Sequence, residues 1–181
     1  MRLFVAAYPP LAAMTALAAA LPPWALQWRP VTAEQWHLTL AFLGEVAETQ
    51  LPELAERLRR AATRSGPLSL ALAGAGAFPS SGHARVLWVG LTGDLDGLVR
   101  LAERTSAAAR RTGIPVERRR YRPHLTLARA RAPRGSDGSG EVAALADFRG
   151  ATWPLAEIVL VRSVLGTQTR HEPIGSWPIR T

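Results

Sequence analysis

The sequence predicts a two-lobed fold of strands and helices, each lobe repeating the same order of elements. Two observations carry this. The tetrapeptide His37-Leu38-Thr39-Leu40 returns 87 residues later as His124-Leu125-Thr126-Leu127. Hydrophobic periodicity also switches between strand and helix in the same order in both halves of the chain.

The first half opens with a strand at residues 3–7. An Ala-rich helix over residues 11–21 follows, bracketed by Pro9-Pro10 and Pro22-Pro23. One positive charge lies upstream and the run is too short to cross a bilayer. It therefore reads as a buried helix of a cytoplasmic protein rather than a signal peptide. Residues 37–43 form the first motif strand, bounded by Gly44. A helix at about residues 50–64 has Thr49 as N-cap and Pro52 and Glu53 in its first turn. Leu51, Leu54, Leu58 and Ala62 make its apolar stripe, with Gly66 past its end. Residues 68–72 alternate as a strand.

The second half repeats the order. Residues 86–91 are a strand. Asp94 is the expected N-cap of a helix reaching Arg111, with Leu95, Leu98, Ala102 and Thr105 on one face and Gly113 and Pro115 ending it. The second motif strand is at residues 124–127. A short helix at about residues 141–146, a strand at 158–164 and a last strand within 174–179 complete the pattern. Residues 132–140, rich in Gly, Ser and Pro, read as a mobile loop, and residues 78–84 as a second loop near the cleft. The expected organisation is a single domain over residues 1–181, duplicated as halves of about 1–83 and 84–181.

The repeated motif has chemical content. Side chains alternate along a strand. Each copy therefore puts His and Thr on one face and two leucines on the other. A two-fold arrangement brings two imidazoles and two hydroxyls to one cleft. Paired imidazoles serve general acid–base chemistry near neutral pH, and paired hydroxyls donate to an anion between them. His37 and His124 are thus the candidate catalytic residues, with Thr39 and Thr126 as oxyanion donors. Phe42 is a candidate for stacking on a base. His83 and His171 belong to no motif and read as surface or loop residues. No metal-binding spacing is present, so no metal is expected.

The net charge is +8, and all 22 basic residues are arginine. Arginine binds phosphate bidentately, so the balance suits a polyanionic partner. The absence of lysine excludes a lysyl-nucleotide ligase and a Schiff-base enzyme. The absence of cysteine excludes disulfides and a cysteine nucleophile.

Several segments resemble one family over the whole chain and in order. They are Met1-Arg2-Leu3-Phe4-Val5-Ala6, His37 through Gly44, Gly76-Ala77-Phe78-Pro79, Arg122 through Arg129, and the tail from Ile158 to Gly166. They are similar to the RNA 2′,3′-cyclic phosphodiesterases of bacteria and archaea. These are two-histidine phosphoesterases once called 2′-5′ RNA ligases. The departure is Ala41, where many members carry a basic residue. The resemblance implies a bilobal α+β fold, with antiparallel-type sheets framing a central cleft and helices outside. It implies hydrolysis of an RNA-terminal 2′,3′-cyclic phosphate to a 2′-phosphomonoester, with no cofactor. By the same resemblance His37 is the acid for the leaving 3′ oxygen, His124 the base, and Arg129 a phosphate ligand. Arg129 has the wrong parity for a regular strand, so the chain must bend after Leu127 for it to reach the site. Arg122 has the right parity and stands equally well as a solvated member of the basic run.

The expected partner is an RNA end, such as one derived from tRNA, bound by a monomer. Two alternatives remain open from the sequence. One is a phosphoesterase for another cyclic phosphate, such as an ADP-ribose cyclic phosphate. The other is a non-catalytic RNA-binding protein.

Overall fold

The computed structural model describes residues 1–166 and 169–180. Its strands are β1 (Arg2–Ala7), β2 (Trp28–Pro30), β3 (Leu38–Glu45), β4 (Ser69–Phe78), β5 (Val86–Gly93), β6 (Leu125–Ala130), β7 (Trp153–Pro154), β8 (Glu157–Val164) and β9 (Arg170–Pro178). Its helices are α1 (Leu11–Ala20), α2 (Leu51–Thr63), α3 (Leu95–Arg111) and α4 (Ser139–Leu145). None is long and apolar enough to cross a membrane.

The strands form one antiparallel nine-stranded sheet in the order β7-β4-β5-β6-β3-β1-β8-β9, with β2 added to β6. The fold is α+β, and its order is symmetrical about the β6–β3 junction. The two motif strands meet there, flanked by β5 and β1, the first strands of the expected halves. Beyond these lie β4 and β8. The late strand of each half therefore pairs with the first strand of the other.

One face of the sheet carries Leu3, Val5, Leu38, Leu40, Val89, Leu125, Leu127 and Leu160, all buried. Against it pack Leu17 of α1, Leu54 and Leu58 of α2, Leu98 and Leu101 of α3, and Leu145 of α4. Each such leucine contributes roughly 1.5–3 kcal/mol by leaving water. The other face carries Phe4, Ala6, Val159 and Val161, with Tyr8 beside them.

Helix α1 differs from expectation. Only Ala13 and Leu17 are buried, and Leu11 is 75% exposed. Alanine methyls tolerate water, so an Ala-rich helix does not have to be internal. Asp94 makes no side-chain cap on α3. Its carboxylate instead accepts the Ser69 amide at the start of β4 (2.8 Å). Gln50, not Thr49, sits at the N-cap of α2. Strand β4 runs past its expected end at residue 72, through Gly74 and Gly76, to Phe78. Strands β2 and β7 lie in segments too short for a periodic signal.

The two expected loops hold each other. Ala84 and Ser136 exchange both backbone hydrogen bonds (2.8 and 2.9 Å). Gly135, at φ +89°, makes this possible, because a side chain there would meet the Ala84 carbonyl at 2.9 Å. Gly76 answers to a different constraint: a Cβ would lie 2.3 Å from the Trp88 ring that covers it. Gly76→Ala should therefore destabilise the fold by about 1–3 kcal/mol. Urea unfolding monitored by tryptophan fluorescence measures this.

Candidate active site

The site is built where β3 and β6 touch through a single pair, Leu38 opposite Leu125. Both leucines are 0% exposed and point into the core. Extending this register by one residue sets His37 against Thr126 and Thr39 against His124, on the opposite face. The structure thus brings together all four motif residues. Both histidines precede the strands proper rather than belonging to them.

Each imidazole is held in the same way. His37 Nδ1 lies 2.7 Å from the Gln35 carbonyl, and His124 Nδ1 lies 2.7 Å from the Arg122 carbonyl. A carbonyl only accepts, so both Nδ1 atoms carry the proton and donate it. That leaves both Nε2 atoms free as acceptors when neutral and donors when charged. Gln35 is itself tied down, its amide donating to the Thr169 carbonyl (2.6 Å). An aromatic ring supports each histidine. Phe4 lies 4.9 Å from His37, and the edge-on Phe78 lies 4.9 Å from His124.

Arg129 reaches this face through a β-bulge. Leu87 pairs with Ala128 and Trp88 with Thr126, so Leu127 is the extra residue. Leu127 and Ala128 are consequently both buried, and Arg129 emerges on the histidine side. Its charge acts on both imidazoles. The bend that a regular strand lacked is this bulge. Strand β3 repeats the device. Val5 pairs with Ala41 and Ala6 with Thr39, so Leu40 is extra. Phe42 is thereby turned off the leucine face, 66% exposed and 6.2 Å from Phe4. Phe42 and Arg129 occupy equivalent positions, five residues after their histidines. Arg122 is exposed, and its guanidinium lies 5.4 Å above the Phe78 ring.

His171 is a correction to the sequence reading. It lies on β9 opposite Ser163, neither on a loop nor free at the surface. Its ring stands edge-on to His37 at 5.2 Å and to Phe4 at 5.0 Å, and its buried Nδ1 has no partner among the described residues. Only the start of β9 at Arg170, four residues before the expected strand, could have pointed to it. His83 is exposed, as expected.

Burial dominates the electrostatics. It pushes His37 down to about 4 and also lowers His124, with Arg129 adding to both and His171 adding to His37. His171 is likewise lowered by burial. Both motif imidazoles are therefore neutral at pH 7 in the free protein. An anion placed between them offsets the arginine charge and favours protonation of one ring. Among the described residues no cluster of ligating side chains could hold a metal. The arrangement can donate and accept a proton on either side of a bound anion.

A family model described as LigT like Phosphoesterase matches residues 7–88 and again residues 89–169. An RNA 2′,3′-cyclic phosphodiesterase of Thermus thermophilus is 36% identical over 144 residues, covering 76% of this chain and 68% of that protein. The Escherichia coli protein of the same name is 34% identical over 155 residues, covering 83% and 80%. A Geobacillus stearothermophilus namesake is 32% identical over 152 residues. That match covers 82% of this chain but spans only 47% of the relative. Among solved structures, a Thermus thermophilus protein superposes with a TM-score of 0.80 at 31% identity, covering 99% and 98% of the two chains. Escherichia coli LigT complexed with 3′-AMP gives 0.76 at 30%, with the same coverage.

Two outcomes follow from the burial of the histidines. Nuclear magnetic resonance titration should find His37 and His124 midpoints below 6.5 in the free protein, both rising on addition of inorganic phosphate. A His37 charged in its buried place weakens the fold, because the unfolded chain binds that proton first. Stability should fall as pH drops from 6.5 toward 4, and the slope should be shallower in His37→Gln. Urea midpoints at successive pH values measure this.

Proposed function

This chain belongs to the LigT-like phosphoesterase family, and from that premise we propose that it hydrolyses RNA-terminal 2′,3′-cyclic phosphates to 2′-phosphomonoesters. The observation that carries the reading is the matched pair of imidazoles, each with Nδ1 donating to a backbone carbonyl, which leaves Nε2 as the nitrogen that can accept or donate a proton. Simple binding does not require two imidazoles with the same tautomer. The names of the relatives supply the substrate class.

Opening a cyclic phosphodiester requires a base for the attacking water, an acid for the departing 3′ oxygen, and donors to the charged phosphorus centre. His124 takes the proton from water through Nε2. The oxygen of that water bonds to phosphorus on the side opposite the P–O3′ bond. His37, protonated once the anion is bound, donates its Nε2 proton to O3′ as that bond breaks. The product keeps its phosphate on O2′. After one turnover His37 is neutral and His124 charged, and exchange with solvent restores both. Thr39 and Thr126 donate to the non-bridging oxygens. Arg129 offsets their charge, and Phe42 stacks on the terminal base. The scheme needs no metal.

The protein acts in this reading as a cytoplasmic monomer, its two lobes completing one site, on ends such as those of cleaved tRNA. A chain without cysteine suits that compartment.

The test is a short RNA ending in a 2′,3′-cyclic phosphate, incubated with EDTA, with 2′- and 3′-phosphate products resolved. The wild type should yield the 2′-phosphate. His37→Ala and His124→Ala should each lose roughly 10²–10⁴-fold in kcat while still binding RNA. Full turnover in both variants rules out this mechanism. An exclusive 3′-phosphate product reverses the assignment of the bond that breaks.

A further inference from the structure

Another arginine on the histidine face, Arg29, has no part in the scheme above. The geometry points to a second anion site at Arg29, directly across from the Arg129 that serves the reacting phosphate. It takes the phosphate on the 5′ oxygen of the nucleoside whose 2′ and 3′ oxygens carry the cyclic phosphate. The inference rests on the proposed function and deepens it.

Strands β2 and β3 lie end to end along the same edge of β6. In β2, Trp28, Arg29 and Pro30 pair with Ala130, Arg129 and Ala128. Trp28 is 1% exposed and packs with Leu87 and Ala128 on the helix side, where its indole N–H donates to Glu141 (2.8 Å). Alternation then places Arg29 on the histidine side, directly across from Arg129. Like charges directly opposed destabilise a sheet, and among the described residues neither has a counter-charge. Among the described residues, the carboxylates that pair with arginines do so with Arg57, Arg59, Arg60 and Arg119, and none pairs with Arg29 or Arg129. Neither guanidinium donates a hydrogen bond among the described residues. Burial first, and the Arg29 charge after it, make Arg129 harder to keep charged. Two guanidinium forks side by side, neither paired among the described residues, can receive two neighbouring phosphate groups.

The chemistry of the substrate says which phosphate. Arg129 acts on both imidazoles and so serves the reacting phosphate. Arg29 is displaced from Leu38 by about three residues along the edge, roughly 10 Å. The cyclic phosphate ends the chain on its 3′ side. The one other anionic group on that nucleoside is the phosphate on its 5′ oxygen. A free nucleoside cyclic phosphate lacks it; an RNA end has it as a phosphodiester, and a 5′-phosphorylated nucleotide as a monoester.

Products of the proposed reaction test this without turnover. Calorimetric titration should find that the wild type binds adenosine 2′,5′-bisphosphate at least tenfold more tightly than adenosine 2′-monophosphate. Arg29→Gln should abolish that preference, and Arg29→Lys, which keeps the charge, should retain part of it. A diadenosine with one 3′-5′ phosphodiester and a terminal 2′-phosphate separates the sources. A preference shared with it identifies an RNA-chain phosphate, and one confined to the bisphosphate identifies a mononucleotide. Three results overturn the inference: equal affinities in the wild type, an intact preference in Arg29→Gln, or an equal loss for both ligands in Arg29→Gln. Hydrolysis of adenosine 2′,3′-cyclic phosphate by the wild type reports separately on the proposed function.

Discussion

One backbone pairing holds the site together. Leu38 and Leu125 are the sole partners between β3 and β6, and both are fully buried. Everything chemical about the molecule hangs from this junction. With the leucines fixed in the core, pleating turns His37, Thr39, His124 and Thr126 to the other face. The short ladder also lets the strands diverge at once. β2 can then take the remaining edge of β6. A longer β3–β6 ladder would occupy that edge with backbone.

The two bulges matter nearly as much. An extra residue at Leu40 and at Leu127 inverts strand parity beyond each motif. The same offset then delivers different chemistry from each lobe: an aromatic ring from Phe42, a guanidinium from Arg129. A symmetric frame thereby presents an asymmetric surface. The aromatic neighbours differ too, Phe4 coming from the strand beside β3 and Phe78 from the end of β4.

Much of this was legible in the sequence. The His-x-Thr-x repeat marks both motif strands, because a four-residue string with a rare residue does not recur by chance in so short a chain. The stripes of α2 and α3 were equally plain, since long amphipathic helices bury one face. Three things were not legible. A bulge is a pairing property, so parity alone could only say that Arg129 required one. His171 reaches His37 from β9 through two intervening strands, and no local pattern encodes that approach. Arg29 lies in a three-residue strand whose face is set by Trp28 and by its partner strand.

The exchange of late strands has a consequence for synthesis. β8 must come back to β1, so Leu3 waits for Arg162 and Phe4 for Val161. Strands β4, β5, β6 and β7 have all been made once residue 154 has left the ribosome. β1 keeps one edge open until β8 arrives. The pairing that completes β1 spans the widest sequence separation in the sheet, and long-range strand pairing is intrinsically slow to form.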